Sequence, residues 1–196
     1  MTVLKRPTKT EAEKAVRTLL EYIGENPERE GLVETPQRVI KSYDEFFKGY
    51  DENPDAILAK TFEDVEGYDE IVLLKNMRLE SYCEHHMVPI IGKAHVAYLP
   101  DTKVVGISKL ARVLDVFSKR LQTQERLTMQ VALAIETALK PKGVAVIIDS
   151  MHQCMTTRGV RKSQTSTVTS CMRGIFRKDD RSRAELMALI NHTVMC

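Results

Sequence analysis

Apolar residues fall at helical spacing near the start of the chain and at strand spacing from Glu70 onward. Ala12, Ala15, Val16, Leu19, Leu20 and Ile23 recur every three or four positions, which predicts an amphipathic helix. Thr10-x-x-Glu13 reads as its capping box and Gly24 as its stop. A second helix is predicted from Thr35-Pro36, with Thr35 as cap, Pro36 at the first helical position, and Val39, Tyr43, Phe46 and Phe47 on its apolar face. Gly49 ends it. Positions 50–68 read as a loop with one helical turn from Ala56 to Lys60.

Beyond this loop the pattern changes. Ile71 to Leu74 is strand-like, and Lys93 to Leu99 alternates until Pro100-Asp101 forces a turn, so two antiparallel strands should flank the residues between them. Gly106-Ile107-Ser108 caps a helix on Leu110, Val113, Leu114 and Phe117. Gln122 to Lys140 forms a longer one on Leu127, Val131, Ala134, Ile135 and Ala138, ended by Pro141-Lys142-Gly143. Val144 to Ile148 reads as a buried strand, Thr165 to Cys171 as a β-branched one, and Ser182-x-x-Glu185 caps a last helix through Ile190. Helices and strands thus segregate in pairs, which predicts an α+β fold with an N-terminal helical region over 1–66 and a second domain over 67–196.

Composition adds limits. With 196 residues and 43% hydrophobic content the chain can bury a real core. No apolar run approaches a membrane span, and the opening Met1 to Pro7 lacks the apolar stretch of a signal peptide, so a cytoplasmic protein that does not enter membranes is expected. Four cysteines are too few for a disulfide framework, and Cys171 and Cys196 read as structural or incidental. The net charge of +2 conceals a gradient, because residues 1–70 carry 10 Lys+Arg against 17 Asp+Glu. The basic stretch from Arg158 to Arg183 therefore needs an acidic partner: nucleic acid, a phosphorylated small molecule, or the acidic part of a neighbouring copy. Nucleic acid is not expected, since there is no Trp and aromatic residues make up only 6% of the chain, too few to stack bases along the basic stretch.

The chemistry concentrates in Ser81-Tyr82-Cys83-Glu84-His85-His86. Cys83 and His86 have the spacing that turns a thiolate and an imidazole onto one ion, and sulfur with nitrogen donors suits zinc. If Val144 to Thr156 runs on as one strand, His152 and Cys154 share a face and Cys154 becomes a third ligand. Cys83, His86 and Cys154 would leave a fourth position open, as in a catalytic zinc. His85 and His152 then remain for acid/base work, and the other reading is a closed structural zinc that takes one of them. An open metal activates water, so hydrolysis is the natural chemistry. Ser108-Lys109 at a helix start, Arg112 one turn on, and Arg158-Gly159 after the metal strand together make a phosphate pocket plausible. Glu125 is either a favourable charge at a helix start or a carboxylate able to accept two hydrogen bonds from guanine.

Several motifs in order resemble the GTP cyclohydrolase I family across residues 25–192. They are Arg29-Glu30-Gly31-Leu32, Thr35-Pro36-Gln37-Arg38-Val39, Cys83-Glu84-His85-His86, Gly106-Ile107-Ser108-Lys109, the run from Ser118 to Thr128, and His152-Gln153-Cys154. The resemblance implies a tunnelling fold, an antiparallel sheet with helices on one side. It implies an enzyme that opens the imidazole ring of GTP to give formate and dihydroneopterin triphosphate, at the start of pterin and tetrahydrofolate synthesis. It further implies Zn2+ on Cys83, His86 and Cys154, with His85 and His152 moving protons. Gln124 and Glu125 are implied on the guanine, and Ser108, Lys109, Arg112 and Arg158 around the ribose and triphosphate, Ser108 counting among the catalytic groups. Arg38 and Lys41 are implied to reach phosphates from a neighbouring subunit in a homodecamer of two pentamers. One departure is Arg173, where a small or apolar side chain is expected.

Overall fold

The structure, a computed structural model, describes residues 5–62 and 68–192. Cys196 and positions 63–67 of the expected loop lie outside the described residues. The chain divides into two compact units, residues 1–48 and 49–196.

In the first unit, helix α1 (Lys9–Tyr22) packs against α2 (Thr35–Phe46). The capping box is Thr8 with Glu11, two residues before the expected Thr10-Glu13: Thr8 N–H donates to Glu11 Oε2 at 2.8 Å and Glu11 N–H to Thr8 Oγ1 at 3.3 Å. Both pairs satisfy the T-x-x-E pattern, and the chain uses the earlier because the helix can begin as soon as Pro7 is passed. Thr35 does not cap α2 as expected. Turns through Arg29, Leu32 and Val33 already bring the chain in helically, so Glu34 takes the cap position without a side-chain bond, and Pro36 falls one place further in.

A single 3-10 turn at Lys48–Tyr50 spans the boundary along the chain, and the second unit continues with the short helix α3 (Pro54–Leu58), which is capped by Asn53 and begins two residues ahead of the expected turn. Strand β1 (Thr61–Phe62) pairs with β4 (Val104–Val105). The main sheet has the order β5-β2-β3-β6-β7, formed by β5 (Leu121–Gln122), β2 (Val72–Cys83), β3 (Pro89–Leu99), β6 (Gly143–His152) and β7 (Thr167–Gly174). Every pairing is antiparallel except the two-residue parallel contact of β5 with β2.

Helices α4 (Ile107–Ser118) and α5 (Gln124–Leu139) cover one face of this sheet. Leu110, Val113, Leu114, Leu127, Val131 and Ile135 pack there on Leu79, Ala94, Val96, Val144, Val146 and Ile148 in one buried cluster. At one end of the opposite face, Phe176 of α7 (Ile175–Lys178) and Leu186 of α8 (Asp180–Asn191) bury Ala97 and Ala145. The last helix starts from Asp179, whose carboxylate accepts from Ser182 N–H at 2.8 Å, not from the expected Ser182 cap.

Two departures from the alternation rule shape the site. Strand β2 is far longer than Ile71 to Leu74, because a bulge between Leu74 and Met77 changes its phase. Asn76 sits there at φ +57°, and after it Met77, Leu79, Ser81 and Cys83 take over the inward face that Val72 and Leu74 held before. Without that extra residue Cys83 would point away from the helices. Strand β6 ends at His152, so Cys154 is not on a continuing strand as expected. It lies in the one-turn helix α6 (Gln153–Thr156), where the chain bends and carries the thiol back toward β3.

Candidate metal centre and active site

Cys83 ends β2 and is buried, and its carbonyl accepts from both His86 N–H at 3.3 Å and Met87 N–H at 2.8 Å. Met87 closes this turn in the left-handed region at φ +56°. The turn swings His86 back over Cys83, leaving its Nδ1 3.8 Å from Cys83 Sγ. Cys154 arrives from α6, and one ligand atom from each of Cys83, His86 and Cys154 lies within 4.8 Å of the others. Among the described residues this is the group of three or more such side chains close enough to share an ion. A tetrahedral zinc with two sulfur and one nitrogen ligand would separate those atoms by about 3.4–3.8 Å, so the donor set fits the ion with little movement.

The thiols are poised for a cation. Burial first, and then the adjacent Cys83, push the Cys154 thiol above its ordinary value. A thiol raised in this way ionises readily only when a positive charge arrives.

His85 Nδ1 is also 3.8 Å from Cys83 Sγ, but His85 is exposed and stands outside the three-donor group. Its Nε2 is 3.8 Å from Glu84 Oε1. His152 is half-buried at the end of β6, and its Nε2 lies 2.7 Å from Gln124 Oε1. Burial lowers its pKa, and the Glu125 carboxylate works in the opposite direction.

The two motif segments meet through β5. Cys83 pairs with Gln122, and Glu84 N–H donates to Gln122 O at 3.1 Å. The start of α5 is thereby placed beside the metal turn. Thr123 caps that helix, with its Oγ1 accepting from Arg126 N–H at 3.4 Å. Gln124 is buried with its amide bonded inside the protein, whereas Glu125, the next residue, is exposed.

Arg158, just beyond α6, brings its Nη1 3.1 Å from His86 Nε2. Ser108, Lys109 and Arg112 occupy the first turns of α4, and their side chains have no polar partner among the described residues. Arg38 and Lys41 are exposed on α2 of the first unit, where Arg38 pairs with Glu34. Arg173 forms an ion pair with Glu136 of α5, which explains how a charge is accommodated on β7.

Sequence reasoning did not find Arg126, which donates to Glu84 and to Leu121 O, nor Ser150, which donates to Gln124 Oε1 at 2.7 Å. Ser150 had a signal in its i, i+2 relation to His152, since both fall on the inward face of β6.

Together the sheet, its two covering helices and the three-donor cluster define an α+β protein built around a site able to hold one metal ion. The sequence model of the GTP cyclohydrolase I family matches residues 12–191. A protein named GTP cyclohydrolase 1 from Maricaulis maris is 55% identical over 185 residues, covering 94% of this chain and 90% of that one. The proteins of the same name from Pelagibacter ubique and Brucella abortus are 60% and 56% identical, covering 89% and 95% of this chain and 87% of each relative. The chain belongs to the GTP cyclohydrolase I family, and its antiparallel-dominated sheet with packed helices is the tunnelling fold expected of that family.

Proposed function

We propose that this protein hydrolyses GTP at C8 of the guanine, opens the imidazole ring, releases formate and delivers 7,8-dihydroneopterin triphosphate to pterin and tetrahydrofolate synthesis. As a member of its family it is an enzyme that acts on GTP. The observation that carries the reading is the convergence of Cys83, His86 and Cys154, with the further imidazoles His85 and His152 in the same two segments. Zinc bound to those three donors supplies Lewis-acid activation of water.

The rest falls to the side chains. His85 and His152 accept and return protons as water adds at C8 and the ring opens. Glu125, exposed at the start of α5, accepts two hydrogen bonds from N1–H and the exocyclic amine of guanine, with Gln124 beneath it. Ser108 and Lys109, at a helix start rich in free N–H groups, hold the ribose and triphosphate with Arg112 and Arg158. In this reading residues 67–196 are the catalytic part. Residues 1–66 form the helical region that presents Arg38 and Lys41 to phosphates bound by a neighbouring copy in a decamer of two pentamers. The enzyme works in the cytoplasm, and among the described residues no helix is long and apolar enough to cross a membrane.

Incubating the zinc-loaded protein with GTP tests the reading. Formate and a pterin that fluoresces after oxidation are expected, and absence of both with zinc verified in the protein would overturn it.

A further inference from the structure

Gln124 is 1% exposed, and both polar atoms of its side chain are hydrogen-bonded inside the protein. Its amide nitrogen lies 3.0 Å from Ile148 O, 2.8 Å from Thr167 O and 3.1 Å from Thr169 Oγ1. Its oxygen lies 2.7 Å from Ser150 Oγ and 2.7 Å from His152 Nε2. Backbone carbonyls only accept, so the amide cannot be turned over without setting its oxygen against two others in a buried site.

The neighbouring hydroxyls agree. Thr128 Oγ1 gives its hydrogen to Gln124 O at 2.7 Å, so Thr169 must be the donor in its 2.7 Å bond with Thr128. That leaves Thr169 Oγ1 as an acceptor, as the amide nitrogen requires. Gln124 Oε1 is therefore the atom facing β6, and an amide oxygen accepts only. The ring nitrogen bonded to it has to carry a hydrogen.

We infer that Gln124 is a positioning residue that holds the His152 ring as its Nε2–H tautomer, leaving Nδ1 as the ring nitrogen that Gln124 does not bind. The assignment rests on the reading of His152 as a proton-handling group in the proposed reaction. A neutral amide orients the ring without adding a charge beside the metal turn, which a carboxylate in the same place would do. The network spans four segments, because Gln124 and Thr128 come from α5, Ile148 to His152 from β6, and Thr167 with Thr169 from β7. The ring is thus set by the fold, whatever substrate is bound.

Neutron diffraction from deuterated crystals of the zinc-loaded protein at about pH 8, above the ordinary imidazole range, reads the tautomer directly. Deuterium on His152 Nε2 pointing at Gln124 Oε1, with none on Nδ1, is the expected result. Deuterium on Nδ1 and a bare Nε2 would overturn the inference. In the companion kinetics, Gln124→Met should lower kcat about 100-fold while KM for GTP and zinc content stay within about threefold. Ser150→Ala, which leaves the accepting oxygen in place, should keep kcat within about threefold of the parent. An unchanged kcat in Gln124→Met would contradict the inference. If Gln124→Met does not fold, the neutron result on the parent protein decides alone. If the parent does not act on GTP, the proposed function fails while the tautomer still stands or falls on its own density.

Discussion

Arg126 Nη2 donates to Glu84 Oε2 at 2.5 Å, and so fastens the turn that carries Cys83 and His86 to the first turn of α5. The same guanidinium donates to Leu121 O at 2.9 Å and, through Nε, to Gln122 Oε1 at 2.9 Å. Gln122 in turn is buried and bonded to Phe117 O and Gln130. A residue that ligates nothing thereby sets the position of a metal turn.

Arg126→Ala should weaken zinc binding about tenfold, the range in which supporting residues around metal ligands act. The Arg126 and Glu84 side chains are both partly exposed, so the loss in stability should stay within about 1 kcal/mol. Competition against a chromophoric chelator and a thermal melt on the same sample separate the two effects. A large stability loss with unchanged zinc affinity would assign Arg126 to packing alone.

Ile135 is completely buried between α5 and the sheet. Ile135→Ala leaves a cavity there and should cost about 2–5 kcal/mol. Denaturant unfolding measures it. The metal turn lies at the other end of α5's contacts with the sheet, so zinc content of the folded fraction should be unchanged.

Gly174 joins β7 to α7 at φ +59°, a conformation that side chains resist. A Cβ there would sit 2.2 Å from Lys142 O and 2.8 Å from Gly143 Cα, both backbone atoms that cannot swing aside. Gly174→Ala should therefore destabilise by more than about 2 kcal/mol and lower the yield of folded protein. A melt close to that of the parent would show that the backbone yields.

His95, half-buried on β3, is held below its ordinary pKa of 6.5 by burial first and then by Lys75 and Lys93, with Asp149 opposing. Asn76 N–H donates to its Nδ1 at 3.4 Å, a bond the protonated ring cannot accept. The unfolded chain therefore binds this proton more readily than the folded one. The contribution is fully present above about pH 6.5 and is lost as pH falls from there toward the lowered folded value. Melting temperature should drop between about pH 7 and about pH 5, and His95→Gln should flatten that slope. An identical slope in the variant would place the acid sensitivity elsewhere.

Much of this arrangement is legible in the chain, and what is not has definable causes. The apolar spacing of Leu110 to Phe117 and of Leu127 to Ala138 announces α4 and α5, because long amphipathic helices carry their period openly. That Cys83 and His86 share one side of a turn follows from a spacing of three. The bulge at Asn76 does not show, since Asn76 only lengthens a polar step that Lys75 has begun, and the register against β3 is what reveals it. Alternation likewise cannot say where β6 stops. It carried Cys154 along a strand that ends at His152, and the thiol reaches its neighbours through a helical turn. The burial of Gln124 hides for a third reason: a buried polar side chain looks like a surface one until its partners from β6 and β7 are known.

The central claim is that the metal turn divides its two histidines, His86 toward the ion and His85 toward the proton. Zinc per chain, measured by elemental analysis on purified His85→Ala and His86→Ala alongside formate release from GTP, tests it most directly. His85→Ala should keep about one zinc per chain and lose formate release, and His86→Ala should lose both. Zinc lost from His85→Ala but retained by His86→Ala would contradict the account.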